Sequence, residues 1–264
     1  PSGTRPLAAV TGASSGIGRE IALELARRGY DVVITAEDAE LLSAQAAVQA
    51  EGAGVESVRC DLREPSGVDR FHAAIEADGR PLGVIALNAG VGQGGPFLDN
   101  DLADELSIVD LNITSTLRLA KLVLPGMVAR GSGRVLVTSS IASEMPGSFQ
   151  AVYNASKSFL QSFAEAVQNE LQGTGVTLTS LMPGPTDTEF FERADMLDTA
   201  VGTGEKDDPA DVARDGFEAM MAGEERVVSH SLKTKVQGRA SRVLPDSAKA
   251  AMHRRMAEPG SSKN

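Results

Sequence analysis

The chain has 264 residues, 42% of them hydrophobic and 23% charged, with a net charge of −11; this excludes a disordered or fibrous chain and gives nucleic acid no electrostatic reason to bind. One cysteine, Cys60, excludes an internal disulfide, and His72, His230 and His253 are too scattered for a metal site. No apolar run approaches the roughly 18 residues that span a bilayer, and the N-terminal stretch lacks the charged start and apolar core of a secretory signal, so a cytoplasmic protein is expected.

Short β-branched runs alternate along the chain with longer amphipathic stretches, the pattern of a parallel sheet with crossover helices. Strands are expected at 7–12, 31–35, 55–61, 83–90, 133–140, 175–184 and 226–231. Between the first two, Ile17, Ile21, Ala22 and Leu25 recur at helical spacing and Gly29 follows as a C-cap. Further helices are expected at 38–51, 65–79, 101–130 and 153–173, with Pro65 and Asp101 marking two of the starts. The segment 186–208 sets Phe190, Phe191, Met196 and Leu197 in a polar, irregular frame and reads as a mobile cap.

The end of the chain reverses the charge. Residues 226–264 carry nine Lys or Arg against Asp246 and Glu258, a net +7, so the preceding 225 residues hold −18. Val236, Ala240 and Val243 could mark one face of a helix beside Lys235, Arg239 and Arg242. Lacking Trp or Phe to insert into a membrane, such a helix is expected on the protein's own acidic body or over a substrate mouth.

The first strand runs through Gly12, Gly16 and Gly18 into the first helix. Glycines there let the backbone approach a pyrophosphate, whose charge a helix N-terminus favours; on its own, the triplet could also be a merely flexible turn. Beyond the TGxxxGxG spacing stand, in order, NAG at Asn88–Gly90, TSS at Thr138–Ser140, YNASK at Tyr153–Lys157 and PG at Pro183–Gly184. These five motifs, over about residues 5–231, resemble the short-chain dehydrogenase/reductase family. The resemblance implies an α/β, doubly wound Rossmann-type fold: a seven-stranded parallel sheet with helices on both faces, binding a nicotinamide dinucleotide. It implies one dinucleotide-binding and catalytic domain over 1–231, including the cap at 186–208, followed by a basic extension at 232–264.

Cofactor contacts carry over to Gly12, Ser14, Ser15, Gly16, Ile17 and Gly18 of the loop. By the same resemblance, Asp61 and Leu62 touch the adenine, and Asn88, Ala89 and Gly90 support the sheet and the nicotinamide-side ribose. Pro183 and Gly184 shape a turn beside Thr188, which binds the carboxamide, with Thr186 as the competing hydroxyl. Tyr153 and Lys157 complete this set, Lys157 bonding the ribose.

Tyr153 and Lys157, four residues apart, share one helix face. A nearby ammonium together with the positive nicotinamide ring would lower a phenol's value from about 10, so Tyr153 is expected to act as acid or base. Ser140 matches the family's serine that hydrogen-bonds the substrate oxygen; Ser139 is the adjacent candidate, pointing to the opposite strand face. Asn112 matches the helix asparagine that organises a water between lysine and solvent. The loop 141–152 and the cap nominate Glu144, Met145, Phe149, Gln150, Phe190 and Phe191 for the substrate pocket.

Together these imply hydride transfer between a nicotinamide cofactor and an apolar ketone or secondary alcohol, the work of a carbonyl reductase or alcohol dehydrogenase. A non-catalytic dinucleotide-binding sensor on the same fold is the alternative, against which the intact Asn112, Ser140, Tyr153 and Lys157 set argues. A homodimer or homotetramer through the helices at 101–130 and 153–173 is expected. Relatives that form the common tetramer usually stop soon after the last strand, and this chain continues.

Glu37 bears on cofactor choice. It follows the second strand, where the adenosine ribose should land, in a place that NADPH-preferring relatives commonly give to arginine. The other frequent phosphate clamp, a basic residue in the glycine loop, is replaced by Ser15, although the acid typical of NAD-preferring relatives would stand at Ala36. NAD(H) is therefore expected over NADP(H). A solvent-facing Glu37 that merely begins the next helix, with Asp38 as its N-terminal charge, is the competing reading.

Overall fold

Alternation along the strands decides the layers. In β1 (Leu7–Thr11) every residue is buried, Leu7 and Ala9 in one core cluster and Ala8 and Val10 in the other, as a parallel strand covered on both faces requires. With β2 (Asp31–Ala36), β3 (Val55–Arg59), β4 (Leu82–Leu87), β5 (Gly133–Thr138), β6 (Val176–Met182) and β7 (Arg226–Val228) it forms a seven-stranded, all-parallel sheet. The strand order is β3-β2-β1-β4-β5-β6-β7. The structure is a computed structural model describing residues 5–229 and 245–263. The expected face of Val236, Ala240 and Val243 beside Lys235, Arg239 and Arg242 lies outside the described residues, as does the end of the 226–231 strand.

The helices are α1 (Gly16–Arg27), α2 (Leu41–Ala50), α3 (Pro65–Ala77), α4 (Leu102–Ile108), α5 (Ser115–Arg130), α6 (Ala151–Glu170), α7 (Phe190–Arg193), α8 (Ala200–Thr203), α9 (Pro209–Ala222) and α10 (Asp246–Ala257). On one face, Ile21 and Leu25 of α1, Leu41 of α2 and Phe217 of α9 pack on Ala8, Val10 and Ile34. On the other, Phe71 of α3, Leu119 of α5 and Leu160 of α6 pack on Leu7, Val33 and Ile85. This is the doubly wound α/β arrangement that the alternation and the motifs imply. Because β2 and β4 flank β1 on opposite sides, the connections leave β1 and β4 in opposite directions and open a crevice at their C-terminal ends.

Several bounds differ from expectation for physical reasons. The expected strands 55–61, 83–90, 133–140 and 175–184 stop at Arg59, Leu87, Thr138 and Met182. The residues beyond, among them Asp61, Asn88, Ser140 and Pro183, leave the ladder to line the crevice. The expected helix 101–130 is divided: α4 passes into a π-helical segment, Val109–Thr114, before α5 begins. Helix 38–51 begins only at Leu41, so Asp38 is not its N-terminal charge.

The cap at 186–208 packs against the described end of the chain. Phe191, Ala194 and Met196 form a small core with Ala257 of α10. A β-bridge joins Thr186 to Asp207, the Gly94 amide donates to the Ala194 carbonyl at 2.8 Å, and that of Ser262 to Asp198 at 3.0 Å. The described end of the basic extension thus seals the cap from outside.

Candidate active site

The glycine loop shows why its residues are small. Gly12 (φ +66°) and Gly16 (φ +53°) are left-handed, where side chains are strained. A Cβ on Gly18 would sit 2.0 Å from the Gly12 carbonyl oxygen and 2.4 Å from Asn88 Nδ2. Ser15 occupies the N-cap of α1 without a side-chain cap, and the first turn holds no acid. The amides at the helix start therefore meet the cleft as an anion site, suited to a pyrophosphate.

Thr11, which the sequence reading passed over, ties this loop to the next strand. Its Oγ1 accepts from the amides of Asn88 and Ala89, each at 2.9 Å. Asn88 Nδ2 returns a bond to the Thr11 carbonyl (3.2 Å), and Thr138 Oγ1 donates to Asn88 Oδ1 (3.0 Å). The ends of β1, β4 and β5 are thereby pinned together.

One cleft of about 660 Å³ brings together every expected cofactor residue from the loop, Glu37, Asp61, Leu62, the Asn88–Gly90 turn, Tyr153, Lys157, Pro183, Gly184, Thr186 and Thr188. That volume falls within the range of ligand sites. Ser139 and Ser140 both line it, but they differ in bonding. Ser139 is buried and donates to the Lys157 carbonyl at 3.1 Å. Ser140 Oγ accepts from the Ala142 amide at 3.1 Å and hydrogen-bonds the Tyr153 phenol.

Lys157 is buried and donates from Nζ to the Thr138 carbonyl at 2.9 Å. A methyl group on Gly90 would stand 3.2 Å from both Lys157 Nζ and Asn112 Oδ1, which locates these two groups behind the same turn. Asn112 does not line the cleft. The π-helical segment buries it completely, with Oδ1 accepting from the Val91 amide (2.9 Å) and Nδ2 donating to the Val91 carbonyl (3.0 Å) and Ser156 Oγ (2.9 Å). These bonds set Asn112 against the Gly90–Val91 turn beside Lys157.

Burial pushes the Tyr153 phenol up to about 12, with the Ser140 hydrogen bond opposing it. Burial likewise pushes Lys157 down to about 8. The Lys157 ammonium stands 5.8 Å from the Tyr153 ring centroid.

Of the residues expected in the substrate pocket, Met145, Gln150, Phe190 and Phe191 line the cleft, whereas Glu144 and Phe149 do not. Phe149, left-handed at φ +65°, faces α10 instead, with the Arg254 guanidinium 5.3 Å from its ring. Phe190 lies on Tyr153, ring centroids 5.0 Å apart, and a Cβ on Gly92 would meet it at 2.6 Å. His253 and Met256 of α10 also line the cleft. His253 is buried, with Nδ1 2.9 Å from the Ser148 carbonyl, and burial lowers its value against that bond.

At the other end, Glu37 is bound by a two-pronged guanidinium. Arg63 Nη1 and Nη2 both donate to its carboxylate, Nη2 at 3.1 Å. Asp38 faces the glycine loop, accepting from Ser14 Oγ at 2.9 Å, with Arg193 of the cap 3.5 Å away. Its second oxygen is buried without a partner, so Asp38 belongs to the cleft and not to a helix start.

The model of the short chain dehydrogenase family matches residues 6–197. The chain belongs to this family. A short chain dehydrogenase from Pseudocercospora fijiensis is 32% identical over 196 residues, which cover 73% of this chain and 63% of that relative's length. Among solved structures, a short-chain dehydrogenase from Sphingobium yanoikuyae in complex with NADPH superposes with a TM-score of 0.79 at 28% identity, covering 91% of this chain and 96% of the other. One from Burkholderia phymatum in complex with NAD gives 0.79 at 25% identity, covering 89% and 92%. No His, Cys, Asp and Glu group among the described residues is arranged to hold a metal. Among those residues, no helix is long and apolar enough to cross a membrane.

Proposed function

We propose that the protein transfers hydride between a nicotinamide dinucleotide and a ketone or secondary alcohol, with Tyr153 as the proton donor and acceptor. The observation that carries this reading is the convergence of Tyr153, Ser140 and Lys157 on one cleft whose far end holds an uncapped helix start among glycines. The loop, Asp61, Asn88 and Thr188 would hold the dinucleotide, which when bound supplies or accepts the hydride.

The chain's own groups supply the rest. Ser140, fixed by the Ala142 amide, orients the phenol and offers a hydrogen bond where charge develops on the substrate oxygen. Tyr153 gives its proton to that oxygen in reduction and takes it back in oxidation. Lys157, with its proton bound only up to about pH 8, stands close enough to favour the phenolate as it forms. Asn112 and Ser156 hold the turn against which Lys157 packs. Phe190 excludes water from the Tyr153 ring and gives the pocket an apolar wall.

Preference for NAD(H) forms part of the same proposal, since Glu37 lines the cleft with a carboxylate beyond β2 while Arg63 does not line it. Assembly into a dimer or tetramer through α4, α5 and α6 is supported by exposed Leu102, Leu106, Leu122 and Phe159. Oxidation of NADH and NADPH against a panel of ketones tests the activity, with Tyr153→Phe expected to lose about 100-fold or more in kcat. Undiminished turnover in that variant would remove Tyr153 from the mechanism. Binding of NADH without turnover of any ketone or alcohol would favour a sensor.

A further inference from the structure

We infer that Arg63 is a latent ligand for a 2′-phosphate, kept occupied by Glu37, so that this acid selects the cofactor by sequestering a cation as well as by its own charge. The inference rests on the NAD(H) reading above and assigns its mechanism to a pair of residues.

Arg63 follows the Asp61-Leu62 pair of the cleft wall and carries five N–H donors in a planar fork. Nη1 and Nη2 donate to the two oxygens of Glu37, Nη1 also to Asp61 Oδ2 (3.1 Å), and Nε to Ser107 Oγ (2.9 Å). Half of these bonds end on Glu37. The other half, to Asp61 and Ser107, anchor the guanidinium from behind and do not involve Glu37 at all.

The charges nearby explain what the pair achieves. Four carboxylates (Glu37, Asp38, Asp61, Glu189) meet three guanidiniums (Arg59, Arg63, Arg193), so this end of the cleft carries only a small negative excess. Their placement is uneven, however. All four acids line the cleft, while Arg59 and Arg63 do not. Arg193 lines it but is engaged by Glu189 (2.6 Å) and Asp38 (3.5 Å). Arg59 Nε is engaged by the Glu37 carbonyl (2.8 Å).

Neutralising Glu37 would release the edge of Arg63 that carries Nη2 while Asp61 and Ser107 keep the group beside the cleft. A guanidinium fork so held matches a phosphate monoester in geometry and charge. NADP+ should therefore gain affinity without any new cation being introduced.

The test is calorimetric titration of NAD+ and NADP+ into the wild type, Glu37→Gln, Arg63→Gln and the double variant, with Glu37→Ala providing the same cycle by a second route. Glu37→Gln is expected to bind NADP+ about tenfold more tightly than the wild type, a gain lost when Arg63 is also replaced. An equal gain in the Arg63→Gln background would overturn the inference, showing that the charge of Glu37 alone selects, and would leave the NAD(H) reading standing. Wild-type protein that already binds NADP+ more tightly than NAD+ would overturn both, a result legible before any variant is made.

Discussion

Replacing Lys157 by Met should change the pH dependence of stability in a direction fixed by the buried ammonium. Lys157 is 4% exposed, and burial brings it from 10.5 to about 8. At neutral pH the folded protein therefore holds a desolvated charge at a cost of about 3 kcal/mol, from about 1.4 kcal/mol for each pH unit of displacement. The sign follows from proton counting. Between pH 8 and 10.5 the unfolded chain binds more protons at this position than the folded chain, so wild-type stability rises with pH through that window and the penalty is complete below it. Met carries no such penalty, but it forfeits the bond to the Thr138 carbonyl, a pH-independent loss of about 1 to 3 kcal/mol if that oxygen stays buried. The stability of Lys157→Met relative to wild type should thus fall by about 2 kcal/mol between pH 7 and pH 10, whatever its absolute value. Urea unfolding of both proteins across that range measures it, and the variant should lack the proposed oxidoreductase activity. Parallel stability profiles would refute the reasoning, because they would mean that the ammonium is solvated in the folded state.

Gly18→Ala places a methyl group 2.0 Å from the Gly12 carbonyl oxygen; it should cost about 1 to 3 kcal/mol and weaken NAD+ binding, read by thermal melting and calorimetry. Unchanged melting would show that the loop can yield. Phe71→Ala, in a fully buried position beneath the sheet, should lose about 3 to 5 kcal/mol in denaturant unfolding, with no change in the NAD+ affinity of the folded fraction. Asn112→Ala leaves the Val91 amide and carbonyl without their side-chain partner; a destabilisation of about 1 to 3 kcal/mol with reduced kcat is expected, and wild-type kcat would separate Asn112 from the work of Lys157.

What could be read from the sequence is what lies close along the chain. The Gly12–Gly18 loop, Pro65 at the first turn of α3, and Tyr153 with Lys157 on one face of α6 are all local patterns, and each falls where its spacing placed it. Partnerships across the chain are not written locally. Glu37 meets Arg63, 26 positions away, and Asp38 meets Ser14, 24 positions away, because strand order brings the ends of β1, β2 and β3 together. His253 reaches the cleft through a helix that no motif announces. The π-helical turn at Asn112 escaped because the apolar period of 101–130 is continuous across it. Burial at Tyr153 is illegible for a related reason: spacing reveals the neighbouring charge, whereas desolvation depends on everything packed around it.

The pairing of β1 with β4, Leu7 opposite Leu82, has a consequence for the order of assembly. A chain emerging from the ribosome completes β1, β2 and β3, with the glycine loop between them, before any strand exists to occupy the other side of β1. At that stage Ala89 and Asn88, against which the loop glycines close, are still absent from the structure, and so are Tyr153 and Lys157. The fragment owns half a crevice. The crevice must then close in two steps, first when a segment of some seventy residues folds back to pair β4 with the first strand and later when α6 brings Tyr153 and Lys157, long-range closures of the kind that slow folding and expose apolar edges meanwhile.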